Sequence, residues 1–189
     1  WCAKMISKKA KYLIIQHGGN FGSSEFEIEE DMQKQVADTF LTWGWKDKFH
    51  KNVKPFNAFQ LNFIKKKEFI RNDRILICLH FHSKYSYRIS SLPKTNFDRL
   101  NKLYQVKKLV ENLGKSSKIV IRYQKYLEKP FELKFNENFF PKHIEFDRSE
   151  KLIKKIISNF KIVIHDTDST TFLESMFLNI PSILLLDNK

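Results

Sequence analysis

Short segments that are apolar at nearly every position constrain the fold of this chain most. Four of them, rich in β-branched residues, are 75–79, 119–121, 162–164 and 182–186. A strand without apolar–polar alternation is buried on both faces, as in parallel sheets that are covered by helices. Between these segments lie stretches with helical spacing of apolar residues, such as 96–113. The pattern therefore predicts an α/β fold with Rossmann-like parallel sheets.

Weaker signals predict the remaining elements. Asn96 and Gly114 bound the helix over 96–113, because Asn caps a helix start and Gly favours its end. Ser149 predicts a helix that runs to Phe160, and Thr171 predicts one that runs to Leu178. Further strands are expected at 12–15, 39–42, 59–64 and 143–146.

The polar stretch 46–57 is the best candidate for a linker between two domains. We expect residues 1–50 to be the C-terminal part of one Rossmann-like domain and residues 51–189 to be most of a second. Trp1 is not an initiator Met, and no helix follows the strand at 182–186. These features predict a piece of a longer protein, truncated at both ends.

Composition narrows the class of partner. The net charge of +13, from 34 basic and 21 acidic residues, favours nucleotide phosphates, anionic lipid headgroups or nucleic acid. A solvated Lys-rich surface without a partner is the alternative. The 42% hydrophobic content argues against a disordered chain. Cys2 and Cys78 form no disulfide framework and no apolar run approaches the ~20 residues of a membrane span, so a cytoplasmic protein is expected.

A glycine-rich loop follows the strand predicted at 12–15. Residues 16–22 contain three of the five glycines in the chain. Glycines concentrated in this way indicate positive φ angles or a close approach by a ligand. His17 is therefore a candidate general base or acceptor-binding residue, although an ordinary tight turn with a structural histidine remains the alternative. The other candidates in this loop are Gly18, Gly19, Asn20 and Gly22.

A hydroxyl-rich turn follows the strand at 162–164. Ser169, Thr170 and Thr171 stand where a helix begins, and the amide groups of a helix N-terminus can hold a phosphate. The alternative for Thr171 and Glu174 is a capping box, in which each side chain bonds the backbone of the other.

Arg122 is a further phosphate-binding candidate, and three other polar residues are secondary ones. Arg122 stands where a strand opens into a loop and can bind a phosphate or carboxylate, unless it pairs with Glu128 or Glu132. Arg88 is a candidate of the same kind. His165 and Asp166 open the hydroxyl-rich turn; Asp166 and Asp168 alone are too few ligands for a metal site, so none is expected. The secondary candidates are Arg88, His165 and Asp166.

Several segments resemble the transferase family of O-antigen and surface-polysaccharide biosynthesis. The two most specific motifs are QHGGNFG at 16–22 and DTFLTWGW at 38–45, where Ala37 replaces the usual Ser. Further matches are YSYR at 85–88, KIVIRY at 118–123, DTDSTTFLE at 166–174 and NIP at 179–181. The family is similar to the GT-B glycosyltransferases, in which two Rossmann-like domains face each other. It is distantly similar to capsule transferases that use a CMP-activated acidic sugar.

The resemblance implies a role for each candidate residue. Ser169, Thr170 and Thr171 would meet the donor phosphate, and Glu174 would approach the ribose or base. Arg122 would offset the charge of the donor. The loop from His17 to Gly22 would face the reacting centre from the other domain.

The resemblance also implies a reaction. A sugar would be transferred from a nucleotide-sugar donor to a surface glycan or glycolipid, and the similarity to the capsule transferases implies CMP as one candidate nucleotide. The reaction would use no metal and no cofactor. Peripheral contact with the anionic inner membrane is expected, and nucleic acid is not expected as a partner. Two alternatives stay open: a polyol-phosphate transferase on the same fold, and a basic nucleic-acid-binding module.

Overall fold

The computed structural model describes residues 2–24, 27–58, 61, 72–80, 96–123, 137–149 and 151–186. The chain divides into two compact units, residues 1–65 and 66–189.

The first unit contains a three-stranded parallel sheet in the order β1-β2-β3. The strand β3 lies inside the stretch that the sequence predicted as a linker, and Val53 of β3 pairs with Phe40 of β2. This pairing places β3 with the first unit, so the division falls later than the expected one after residue 50. The elements of this unit are α1 (Cys2–Ser7), β1 (Leu13–Ile15), α2 (Ile28–Val36), β2 (Thr39–Thr42) and β3 (Val53–Pro55).

The core of the first unit is built around Phe40. Its side chain is fully buried and stacks on Phe21, with the ring centroids 6.1 Å apart. Val53, Ala37 and the partly buried Trp45 complete this cluster. The aromatic residues of the glycine-rich loop and of the segment after β2 therefore share one core.

The second unit contains a five-stranded parallel sheet in the order β6-β5-β4-β7-β8. The chain builds this sheet outward from β4 to β6 on one side and then returns to add β7 and β8 on the other. This is the doubly wound order of Rossmann-like folds, which confirms the predicted fold class. Its elements are β4 (Arg74–Leu79), α3 (Asn96–Leu113), β5 (Lys118–Tyr123), β6 (Glu145–Phe146), β7 (Ile162–His165), α4 (Thr170–Phe177) and β8 (Ser182–Leu184).

Both faces of the five-stranded sheet are covered, which explains its continuously apolar strands. On one face, Val106 and Val110 of α3 pack in a cluster with Ile77 and Ile121. On the other face, Ile157 packs in a cluster with Leu76, Val120 and Val163. Because successive residues of a strand point to opposite faces, each strand needs apolar residues at every position.

The helix predicted from Ser149 to Phe160 is wrong. The structure has two 3₁₀ turns instead, at Ile153–Lys155 and Ile157–Asn159. Arg122 of β5 donates to the carbonyl of Lys151 at 2.6 Å, which is the acceptor that an α-helix would offer to the amide of Lys155. That amide bonds the carbonyl of Leu152 instead, at 2.9 Å. The predicted strand at 59–64 lies outside the described residues except for Leu61.

Gly22 should tolerate no larger residue. Its φ is +76°, and a Cβ atom there would lie 2.7 Å from Cε2 of Trp45. We expect Gly22→Ala to lower the free energy of unfolding by about 2–4 kcal/mol, from strain plus the ring clash. Gly44→Ala is the matched control, because φ is +96° and nothing lies within 4 Å; it should cost only about 1–2 kcal/mol. Equal losses by urea denaturation would show that the contact with Trp45 does not matter.

Candidate functional site

The carboxyl ends of β4 and β7 lie side by side where the strand order reverses. Cys78 of β4 pairs in register with His165 of β7. In open parallel sheets the connections on either side of such a point diverge, and ligands bind in the crevice that they leave. Within the described residues, His80 after β4 and the turn after β7 therefore form the candidate site of the second unit.

Asp166 joins the two segments directly. Both carboxylate oxygens accept from the amide of His80, at 2.9 and 2.8 Å, and the amide of Asp166 donates to the carbonyl of Cys78 at 3.3 Å. The side chain is buried. Asp166 thus holds the end of β4 against the turn after β7, which is a structural role for this secondary candidate.

The helix α4 begins at Thr170, and Ser169 is its N-cap. The alternative interpretation, a capping box of Thr171 with Glu174, does not describe the helix start, because the hydroxyl of Thr171 lies 2.7 Å from the hydroxyl of Ser169. The side chain of Ser169 makes no capping hydrogen bond to the helix. The first turn of α4 therefore presents hydroxyl groups together with helix-terminal amides, next to the end of β7.

Glu174 lies one turn further along α4, half-buried. Burial raises the pKa of its carboxyl group, and the nearby positive charge of Lys154 opposes that rise. Within the described residues the carboxylate has no hydrogen-bond partner. A half-buried carboxylate with no hydrogen bond in this part of the chain can accept one from a ligand.

His165 is a support for α4 and does not face the solvent. Only 1% of it is exposed, its Nε2 atom lies 3.0 Å from the hydroxyl of Ser175, and Ser175 donates to the carbonyl of Thr171 at 3.1 Å. Burial lowers the pKa of His165 to about 4, so the ring is neutral at physiological pH. This chain of contacts fixes the start of α4 against β7.

Arg122 is also engaged inside the fold. Its guanidinium is buried, forms an ion pair with Asp147 and donates to the carbonyl of Lys151. The partner of the ion pair is therefore Asp147; the acidic residues that the sequence offered, Glu128 and Glu132, lie outside the described residues. With these bonds made, Arg122 orients the segment after β6. Arg88, the remaining secondary candidate, also lies outside the described residues.

The glycine-rich loop of the first unit is held by Gln16, a residue that sequence reasoning placed in the motif without assigning it a role. Its side-chain amide donates to the carbonyl of Gly18 at 2.8 Å. Its side-chain oxygen accepts from the amide of Trp43 at 2.8 Å and from the indole of Trp45 at 2.9 Å. A single buried glutamine thus joins the two most specific motifs of the sequence.

A network of buried charged side chains also holds the glycine-rich loop. Glu30 of α2 accepts from the amide of Gly22 at 2.6 Å and forms an ion pair with Lys34. Lys34 also pairs with Asp47 at 2.9 Å, and its ammonium lies 5.3 Å from the ring of Trp45. Hydrogen bonds from Lys34 and from two backbone amides keep the pKa of Asp47 far below its usual range despite burial. Paired charges of this kind fix the relative positions of α2 and the loop.

The loop leaves His17 exposed. The imidazole packs edge-on against Phe21, with centroids 5.1 Å apart, and its Nε2 atom lies 3.8 Å from the carboxylate of Glu29. Asn20 has a positive φ of 72°, and its buried Oδ1 atom has no hydrogen-bond partner among the described residues. Gly18 and Gly19 complete the turn between His17 and Asn20. The loop therefore combines an accessible base with a polar atom that lacks a partner.

Among the described residues, no group of three or more His, Cys, Asp or Glu side chains could hold a metal ion. No helix in that part of the chain has the length and apolarity to cross a bilayer.

The parallel sheets and the doubly wound order define the chain as a Rossmann-like α/β protein. The chain belongs to the LIC12162 family of transferases, whose family model matches residues 1–189. Membership of a transferase family, which the motifs predicted, is thereby confirmed. A search of curated proteins gave no significant match.

A solved structure supports the fold. The chain is similar to the crystal structure of TarM, with a TM-score of 0.53 and 12% sequence identity. The similarity covers 94% of this chain and 36% of TarM, so the chain spans little more than a third of the length of that protein.

The stability of the second unit should depend on pH through His165. The unfolded residue gains a proton near pH 6.5, whereas the folded one does so only at about pH 4. Wild-type stability should therefore fall as the pH drops from 6.5 to 4, by roughly 3 kcal/mol at most. In His165→Gln this contribution is absent, so its stability deficit should shrink over that range. Parallel curves of unfolding free energy against pH would contradict this role.

Glu174 should cost stability at neutral pH. Because its folded pKa is raised, the charged form is disfavoured in the fold, and Glu174→Gln should raise the melting temperature. The gain should disappear as the pH falls through the raised pKa, where the wild-type carboxyl group is neutral as well. Glu111→Gln, at an exposed position of α3, is the control and should change little. No gain for Glu174→Gln would mean that the carboxylate already has a partner.

Proposed function

We propose that this chain is the donor-binding part of a glycosyltransferase that transfers a sugar from a nucleotide donor to a surface glycan or glycolipid. Membership of a transferase family supports the reaction class. The fold shared with TarM, a glycosyltransferase, supports sugar as the transferred group. The surface-glycan acceptor rests on the motif resemblance alone, and the CMP-linked donor is the version to be tested first.

The observation that carries the proposal is the start of α4 at the crevice beside β4 and β7. The helix-terminal amides lie there beside the hydroxyls of Ser169 and Thr171, which contact each other, and Thr170 is the first residue of the helix. Such a group can accept the negative charge that develops on a leaving nucleotide phosphate, without reorganising during the reaction. The contacts of His165 and Asp166 with their neighbours would keep this group in position.

Glu174 is the proposed contact to the ribose. Its carboxylate has no partner among the described residues, and ribose hydroxyls would supply the missing hydrogen-bond donors. Lys154, whose charge acts on Glu174, is a cation near the same site. Because Arg122 is already paired with Asp147, its part in the proposal is to orient the segment that carries Lys154.

His17 is the proposed general base for the acceptor. It is the exposed side chain of a loop whose backbone is held by Gln16 and Glu30. A histidine side chain can act as a general base when an acceptor hydroxyl lies within hydrogen-bond reach. The Oδ1 atom of Asn20, which has no hydrogen-bond partner among the described residues, is a further acceptor that a sugar hydroxyl could satisfy. The proposed reaction uses no metal, because electrostatic stabilisation at α4 would act on the leaving phosphate.

Isothermal titration of the chain with CMP, UDP and GDP tests the site at α4. We expect one nucleotide to bind, and Thr170→Glu to weaken it at least roughly tenfold, because the added carboxylate would repel the phosphate. An acidic residue in the first helical turn favours the helix itself, so α4 should persist. Gln105→Glu, an exposed change of the same charge on α3, is the control and should leave the affinity unchanged.

The same titration can reject the proposal. Equal affinity in wild type and Thr170→Glu would place the nucleotide elsewhere. Binding of CDP-glycerol with no binding of nucleotide sugars would favour a polyol-phosphate transferase. Tight, salt-sensitive binding of a short DNA with no nucleotide bound would favour the nucleic-acid-binding module.

A further inference from the structure

The outward face of α3 is apolar over its first two turns. Phe97, Leu100 and Tyr104 are spaced at i, i+3 and i+7, so they lie on one side of the helix. Their exposed fractions are 70%, 43% and 57%. The inner face packs on the sheet through Val106 and Val110, which are fully buried. The helix is therefore apolar on two faces, and the described residues of the second unit bury the inner one while much of the outer one stays exposed.

Two lysines follow these apolar residues on the same face of α3. Lys107 and Lys108 follow on the next turn, and Lys108 is exposed. The ammonium of Lys107 lies 4.6 Å from the ring centroid of Phe139, and Tyr104 packs edge-on against the same ring at 5.0 Å. We name these six residues the α3 patch: Phe97, Leu100, Tyr104, Phe139, Lys107 and Lys108.

The charge around the patch separates it from another exposed apolar stripe. On α2, Ile28, Met32 and Val36 are also exposed at helical spacing, but the exposed carboxylates of Glu29 and Asp31 lie among them. An anionic surface would attract the α3 patch and repel the stripe on α2. The sequence of α3 holds two acidic residues, Asp98 and Glu111, and four basic ones, Arg99, Lys102, Lys107 and Lys108. Of these, Lys102 is buried and donates to the carbonyl of Leu185.

We propose that the α3 patch binds the surface of an anionic lipid bilayer. Exposed aromatic and leucine side chains enter the boundary between headgroups and acyl chains, while lysine ammonium groups stay among the anionic headgroups. The α3 patch has apolar side chains and lysines next to each other on one face of the helix, as binding at the surface of a bilayer requires. The net charge of the chain, +13, also favours an anionic surface. The inference depends on α3 and Phe139 and does not depend on the chemistry proposed at α4.

Co-sedimentation of the 189-residue chain with vesicles tests this binding. We expect binding to phosphatidylcholine vesicles that contain phosphatidylglycerol, little binding to phosphatidylcholine alone, and loss of binding at high salt. Phe97→Ser should weaken partitioning roughly tenfold, because an apolar ring no longer leaves water. Reversal of both lysines, Lys107→Glu with Lys108→Glu, should weaken it at least as much.

Control variants elsewhere in the chain distinguish binding through the α3 patch from binding through the net charge. Met32→Ser removes an exposed apolar residue from the acidic stripe on α2, and it should leave vesicle binding unchanged. Lys8→Glu with Lys9→Glu reverses an exposed adjacent pair in the first unit, and it should weaken binding far less than the reversal on α3. If Phe97→Ser unfolds the chain by circular dichroism, Leu100→Ser is the replacement test.

Three outcomes would overturn the inference. The first is equal binding to neutral and anionic vesicles. The second is equal weakening by the α3 and control variants. The third is a dimer in light scattering that Phe97→Ser dissociates while vesicle binding is unchanged, which would make a second copy of this chain the occupant of the patch.

Discussion

The parallel pairing of β4 with β7 is the constraint on which the site of the second unit depends. It brings together two segments that are far apart in the sequence, and Asp166 closes the junction by accepting from the amide of His80. His165 then fixes α4 to the same strand through Ser175. These two buried side chains therefore hold the first turn of α4, with its hydroxyl groups and free amides, in place at the end of β7. Residues that looked like ligand contacts in the sequence thus position others.

The first unit uses buried polar contacts in a comparable way. The helix α2 directs the charges of Glu30 and Lys34 inward, where they hold Gly22 and Asp47. Breaking one partner of such a network would leave an uncompensated buried charge, so the network fixes one arrangement of the loop. The side-chain oxygen of Gln16 also accepts hydrogen bonds from the backbone amide of Trp43 and from the indole of Trp45. His17 is consequently an exposed side chain on a rigid backbone.

Local pattern predicted the elements whose cause is local. The continuously apolar strands were recognised because burial on both faces requires apolar residues throughout, and α3 runs from Asn96 to Leu113 as its capping residues predicted. The helix predicted from Ser149 failed because Arg122, from another strand, occupies the carbonyl of Lys151. The spacing of Thr171 and Glu174 offered a capping box as an alternative to a ligand role, but Ser169 is the N-cap in the fold.

The sequence by itself determined the α/β class, the parallel sheets and the motifs that identify a transferase, because each follows from periodicity or from residues close together in the chain. Tertiary structure alone decided the strand order, the burial of His165, Asp166 and Arg122, and the partners of Gln16. Those outcomes depend on contacts between residues that are distant in the sequence. Local spacing carries no information about which distant group will bond to a given carbonyl, amide or charged side chain.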